Sequence, residues 1–300
     1  MMHALRSLGK PVTVIIGDSE PPTTLSHLPG FDQIKLNNFF EINIPDYDLF
    51  IIQDSGSPDQ ISKLRPIKFP DSLETVVIDH HSTNTQFAQI NLIDTAYPAV
   101  CQILYDLFKI WGVNISEAIA ACLYIGIYTD TGGFKYPPTT SDTLLIGADL
   151  AKINPNFPAD IFLLENSFAP QHISYLGLAL TSIEHYFSGH VAISAVPFSE
   201  LKRLGIKKTH TEKTDISNIL KSVVGWDIGI GFTETEPGVV NLSLRTRDEK
   251  KYNVAKIAFA TGYGGGHPAA AGGTLNLPYD QAKKFLLDTI ARVYPELGPP

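Results

Sequence analysis

Apolar runs and polar breaks alternate along the chain as in a mixed α/β protein. Met2 to Leu8 has helical spacing and stops at Gly9, and Val12 to Ile16 then reads as a strand. Tyr47 to Gln53 and Thr75 to Ile78 read as further strands, and each runs straight into an acid, Asp54 and Asp79. Ile90 to Ile93 reads as a short strand. Helical periodicity takes over at Ala99 to Trp111, before Gly112. Ser116 and Glu117 open a helix whose stretch Ala118 to Ile127 is apolar nearly all round, which predicts a buried central helix running out at Asp130, before Gly132 and Gly133. Ser141 to Lys152, Asp160 to Asn166 and Pro170 to Phe187 read as three more helices, the last closing a first domain.

The pattern changes after Gly189. Val191 to Val196, Ile228 to Phe232 and Val239 to Thr246 read as strands, with helices at Asp215 to Val224, Tyr252 to Ala260 and Tyr279 to Val293. Gly262 to Gly273 reads as a glycine-rich loop. The expected architecture is α/β: a first domain with a parallel sheet flanked by helices, then a smaller α/β domain.

Composition narrows the classes. With 44% hydrophobic and 18% charged residues, the chain is an ordinary globular protein. A net charge of −8 argues against a long nucleic-acid duplex as partner, because such binding needs a Lys/Arg surface to release counterions. A short anionic substrate held by metals and a few arginines stays open. Cys101 and Cys122 sit in apolar helical stretches and read as core residues of a reducing compartment. The longest apolar run, Ala118 to Ile127, is far short of the ~20 residues of a membrane span, and no signal peptide is visible. The expectation is a soluble, cytoplasmic protein.

The candidate chemistry gathers at element ends. Val76-Val77-Ile78 leads into Asp79-His80-His81, placing a carboxylate and two imidazoles where open α/β sheets bind ligands, at the carboxyl ends of their strands. Taken singly, the His pair also suits a capped turn, and Asp54 or Asp130 a helix cap. Taken together, hard carboxylates with imidazole suit Mn²⁺ or Mg²⁺ better than Zn²⁺. Clusters of this kind commonly hold two ions about 3.5–4 Å apart. In the second half, Gly264-Gly265-Gly266 would let backbone N–H groups approach an anion, with His267 beside them. The plain alternative is a flexible turn with a surface histidine. Arg245 and Arg247 end a strand and suit phosphate, although a solvated strand end explains Arg247 equally well. Lys207-Lys208 reads as a solvated loop, and His172, His185, His190 and His210 read as structural.

These residues resemble the DHH phosphoesterase superfamily, in particular its bacterial branch of oligoribonucleases (nano-RNases) and pAp phosphatases. The resemblance rests on Asp79-His80-His81, Asp130-Thr131-Gly132, Ser243-Leu244-Arg245-Thr246 and Gly264-Gly265-Gly266-His267, and it spans essentially the whole chain. It implies a DHH domain at 1–182, a substrate-binding domain at 188–300 and a cleft between them. It implies that Asp54 bridges two Mn²⁺ ions, Mg²⁺ being the alternative, with His80 and Asp130 as further ligands. Asp79 would orient His80, and His81 would sit near the scissile phosphate. Arg245, Gly264, Gly265, Gly266 and His267 would hold the phosphates of a short oligonucleotide or of 3′-phosphoadenosine 5′-phosphate. A homodimer is compatible with the resemblance.

Two departures stand out. The family's first motif, a His and an Asp-x-Asp ending a first strand, is absent, and residues 2–16 match the helix and second strand that follow it. Up to three expected ligands are thereby missing, so a weakened metal site and poor hydrolysis are expected of the chain as written. A start displaced from its upstream position accounts for this better than degeneration, because the other ligands are intact. The second departure is Tyr97-Pro98-Ala99-Val100, where small hydroxyl residues are common. The alternatives are a nucleotide-binding regulatory module that has lost catalysis, an exonuclease of the RecJ type, or a cyclic-dinucleotide phosphodiesterase.

Overall fold

The computed structural model describes residues 1–18, 21–211 and 216–300. It divides into two compact units, Met1–Ser167 and Phe168–Pro300. The helix beginning at Pro170 packs with the second unit, burying Tyr175 and Ala179 among residues such as Ala192, Val196 and Leu220.

In the first unit, helix α1 (Met2–Ser7) is followed by the two-residue strands β1 (Val14–Ile15) and β2 (Ile34–Lys35), which pair in parallel. The strand expected over Val12 to Ile16 is thus only two residues long. The main sheet is three parallel strands in the order β3 (Leu49–Gln53), β4 (Glu74–Asp79), β5 (Ile90–Ile93). Phe39, Phe50 and Phe69 pack edge to face or tilted beside it, with Phe39 5.4 Å from each of the other two. Helices α2 (Val100–Ile110) and α3 (Glu117–Asp130) bury Ile103, Phe108, Ile119, Leu123 and Ile127 with Ile78 of β4. The Ser116 side chain accepts from the Ile119 N–H and starts α3, leaving Asp130 as its last residue. Thr140 caps α4 (Ser141–Ile153) through a reciprocal bond with Thr143. Helix α5 (Phe157–Asn166) begins three residues before Asp160, since Pro158 is well placed in a first turn.

The second unit is built on one six-stranded sheet. Its elements are α6 (Pro170–Thr181), β6 (Ile183–Tyr186), β7 (Val191–Val196), α7 (Phe198–Arg203), α8 (Lys208–Thr211), α9 (Ile216–Ser222), β8 (Ile228–Glu236), β9 (Val239–Thr246), α10 (Val254–Ala260), β10 (Gly264–His267), β11 (Ala270–Leu275) and α11 (Tyr279–Val293). The strand order is β10-β11-β9-β8-β7-β6, with β7 and β8 parallel and the other pairs antiparallel. Strand alternation sends Ile193, Ile230, Phe232 and Leu244 to one face, under Ile257, Leu286 and Ile290 of α10 and α11. Ala192 and Val196 go to the other face, under Tyr175, Ile216 and Leu220 of α6 and α9.

Two expectations give way here. The helix expected from Pro170 to Phe187 stops at Thr181, and Ile183–Tyr186 pairs with β7 instead, Ile183 opposite Ser194. Helical spacing is a local signal, and a partner strand overrides it. The glycine-rich loop is a β-hairpin, with His267 opposite Ala270 and Gly265 opposite Gly272. Glycine and alanine are poor strand formers, but the register with β9 is set by non-local backbone bonds. Only glycine fits at 266: φ is +142°, and a β-carbon would lie 2.6 Å from the Ala270 carbonyl oxygen. The expected helix start at Asp215 lies outside the described residues. Among those residues no helix is long and apolar enough to cross a membrane.

Candidate active site

The first cluster grows from the carboxyl ends of β3 and β4. The register places Gln53 beside Ile78, so the next residue of each strand, Asp54 and Asp79, lies at the same edge of the sheet. Asp54 is not a helix cap. It is held in left-handed backbone (φ +56°), a conformation unfavourable for a residue with a side chain, while its N–H donates to the Ile78 carbonyl at 3.0 Å. Its carboxylate stays 46% exposed and faces both imidazoles: Asp54 Oδ1 is 3.5 Å from His80 Nε2 and 3.6 Å from His81 Nδ1. The ligand atoms of Asp54, Asp79, His80 and His81 all lie within 4.8 Å of one another.

Asp79 is fully buried and saturated with donors. Its Oδ1 accepts from the backbone N–H of His80 (2.8 Å) and of His81 (3.3 Å) and pairs with His81 Nδ1 (2.8 Å), while Oδ2 accepts from Asn84 Nδ2 (2.6 Å). Burial pushes this carboxyl up, but the hydrogen bonds from Asn84, His81 and the two N–H groups outweigh it and hold it below its usual range. Asp79 therefore holds the turn and the ring of His81. The ring of His80 is set by a different group: its Nδ1 lies 3.1 Å from the Tyr97 carbonyl, which can only accept. That bond puts the proton on Nδ1 and leaves the Nε2 lone pair facing Asp54. The expected contact from Asp79 to the His80 ring is thus replaced by Asp79 to His81 and Tyr97 to His80.

Neither Asn84 nor Tyr97 is singled out by the sequence as a support. Asn84 Nδ2 also donates to the Ser55 carbonyl, and Thr85 donates to the Gly56 carbonyl through its N–H (2.8 Å) and hydroxyl (3.1 Å). The loops after β3 and β4 are thereby stitched together, which fixes Asp54 relative to the histidines.

Asp130 lies outside the 4.8 Å group. It is at the C-terminus of α3, where the helix dipole disfavours an anion, and among the described residues no cation pairs with it. It keeps solvent access, yet protein crowds its carboxyl. Desolvation first, and then the like charge of Asp54, push it up to about 6 against the opposing pull of His80 and His81. A carboxyl destabilised in this way gains from a nearby cation. Cys101 is no nucleophile, since burial and then Asp130 push its thiol up to about 12.

The residues present fit a hard divalent cation. Two donors bonded to one such ion at about 2.1 Å stand roughly 3–3.5 Å apart, and the separation of Asp54 Oδ1 from His80 Nε2 matches that.

The second cluster lies on the α9 side of the second unit's sheet. Arg245 of β9, Ala270 of β11 and His267 of β10 are register partners, so their side chains leave one face in a row. Two strand spacings put Arg245 and His267 about 10 Å apart at the backbone. Ser243 belongs to the same face, and its hydroxyl is 2.9 Å from that of Ser217 on α9. Between them lie Ala270, Gly265 and Gly272, so this part of the face is mostly backbone. β10 is an edge strand, so half its N–H groups face away from the ladder. Arg247 is occupied elsewhere, bonding the Lys221 and Ser222 carbonyls at the end of α9.

Residues 1–127 match the DHH family, N-terminal domain. The chain is 27% identical over 291 residues to the bifunctional oligoribonuclease and PAP phosphatase NrnA of Thermus thermophilus, covering 97% of this chain and 83% of that protein. It is 24% identical over 276 residues to the protein of the same name from Bacillus subtilis, covering 91% and 82%. Its structure resembles that of an exopolyphosphatase-related protein from Bacteroides fragilis, with a TM-score of 0.87, 23% identity and coverage of 98% and 87%, so the fold is shared.

Proposed function

We propose that this chain, which belongs to the DHH family, is a divalent-metal-dependent phosphoesterase that hydrolyses short oligoribonucleotides and 3′-phosphoadenosine 5′-phosphate. The observation that supports this best is the convergence of Asp54 Oδ1 on the two imidazoles, with the His80 lone pair already aimed inward by Tyr97. When bound, the ion supplies Lewis-acid charge to a phosphoryl oxygen and lowers the pKa of water. Asp54 and His80 would hold the ion, and Asp130 would add a further negative charge near it. The donor set favours Mn²⁺, with Mg²⁺ as the alternative.

The remaining roles belong to protein groups alone. Asp79 holds the His81 proton on Nδ1, so Nε2 is the nitrogen that meets the substrate. Once also protonated at Nε2, His81 donates to the scissile phosphate and passes that proton to the leaving-group oxygen. Arg245 and His267, on one face of the second unit's sheet, bind substrate phosphates, assisted by whichever N–H groups of Gly264, Gly265 and Gly266 face away from the ladder. We place the reaction in the cytoplasm, where short RNA fragments arise.

The test is an assay of the purified chain on a diribonucleotide and on 3′-phosphoadenosine 5′-phosphate, with Mn²⁺, with Mg²⁺ and after chelation. Mononucleotide release with Mn²⁺, abolished by chelation and by Asp54→Asn, is the expected result. Binding of both compounds without turnover under any metal would instead favour a nucleotide-binding module.

A further inference from the structure

We infer that Phe259 is a stacking surface for a nucleobase of the substrate, set at the glycine edge of the second unit's sheet. The inference rests on the proposed reading as a nucleotide phosphoesterase and adds what recognises the base. Phe259 is the next-to-last residue of α10. Its helix neighbours Val254, Ala255, Ile257 and Ala258 are buried in the core, while its own ring is 64% exposed. The ring does not project at random. A β-carbon at Gly265 would come within 3.2 Å of it, so the ring edge rests on β10 in the space that only a glycine leaves. Most of the ring stays open to solvent.

The surroundings suit a nucleotide. His267 follows Gly265 by two residues, about 7 Å further along the strand by strand rise. That spacing is comparable to the separation of a nucleotide's phosphate from its base. Arg245 is in register with His267 through Ala270. Tyr263, 57% exposed, precedes Gly265 by two residues and is a second exposed aromatic at this end of the strand. An open aromatic ring near phosphate-binding groups fits base stacking, which tolerates any base. The phosphate groups thus confer affinity for anions in general, and Phe259 selects those that carry a base.

The experiment compares the full-length wild type with Phe259→Ala and Phe259→Trp on a diribonucleotide, on 3′-phosphoadenosine 5′-phosphate and on ribose 3,5-bisphosphate, which has no base. Phe259→Ala should raise KM for the two base-containing substrates by about 5- to 100-fold, leave kcat nearly unchanged and leave KM for the base-free compound unmoved. Phe259→Trp should restore KM, and AMP should quench its fluorescence beyond the change seen in wild type, whose two Trp residues serve as reference. Because Phe259 is exposed, the variants should melt with wild type. Turnover by wild type with unchanged KM in Phe259→Ala would overturn the stacking role and leave the phosphoesterase reading standing. An equal rise in KM with and without a base would overturn it too, marking a structural defect. Failure of wild type to bind or cleave any of the three compounds would overturn both.

Discussion

Asp79→Asn separates a metal ligand from a group that holds the ligands in place. The wild-type carboxylate is 0% exposed and accepts four hydrogen bonds, at 2.6, 2.8, 2.8 and 3.3 Å. An asparagine keeps the shape but replaces one acceptor oxygen by an NH₂. Whichever way the amide turns, a donor meets a donor, either Asn84 Nδ2 or the Nδ1–H of His81. One or two charge-assisted bonds are lost, each worth about 1.5–3 kcal/mol, and the relief of a buried charge offsets part of that. A net loss of about 1–3 kcal/mol in stability is expected. For Mn²⁺, the loss of an outer hydrogen-bond partner typically weakens affinity about 10–100-fold, whereas Asp54→Asn removes a donor and should abolish measurable binding. Calorimetric titration with Mn²⁺ of the apo forms measures both. Nitrogen-detected NMR of the His81 ring should show its proton leaving Nδ1. If Asp79→Asn destroyed metal binding as completely as Asp54→Asn, with the His81 tautomer unchanged, Asp79 would itself be a ligand and the assignment of its hydrogen bonds would be wrong.

Other consequences follow. Asp54→Gly should raise stability by about 1 kcal/mol, because glycine adopts φ +56° freely, while ending metal binding; a higher melting temperature together with a flat Mn²⁺ titration is the expected pair of results. Asp227 sits between His190 Nδ1 (2.8 Å) and Lys251 Nζ (3.1 Å). Burial raises its carboxyl, but these bonds prevail and lower it below the usual range. The stability it adds is therefore present above the ordinary carboxylate pKa and disappears as pH falls through the lowered value. Asp227→Asn should cost about 1 kcal/mol at pH 7, and denaturant curves should converge with wild type as pH falls below the ordinary carboxylate range. Phe108, fully buried between α2 and α3, should cost about 3–5 kcal/mol as Phe108→Ala, read as a shift in midpoint with unchanged slope.

The parts of this protein written in local pattern were legible in its sequence. Val76-Val77-Ile78 had to be a buried strand, so the side chains after it had to stand at the sheet's carboxyl edge. The same logic placed Asp54, and the all-apolar α3 placed Asp130 at a helix end, although not within ligand distance of Asp54 and His80. What fixes the imidazoles was harder to see. A backbone carbonyl such as that of Tyr97 has no residue-type signature, and Asn84 reads as one more turn residue. The hairpin at Gly264–Leu275 was hidden because its pairing is with β9, nearly thirty residues away in sequence. Glycine and alanine carry no strand signal of their own. The same holds for Ile183–Tyr186, whose helical spacing yielded to β7.

The sheet of the second unit ends on a strand that is almost entirely backbone. An uncovered edge normally invites another chain to add a strand, and proteins commonly block it with charges, prolines or bulges. Here the block is a lack of side chains. A foreign strand meeting Gly264, Gly265 and Gly266 finds no cross-strand partners to reward pairing. The protein can thus expose a row of amide donors to a small solute without becoming a seed for aggregates.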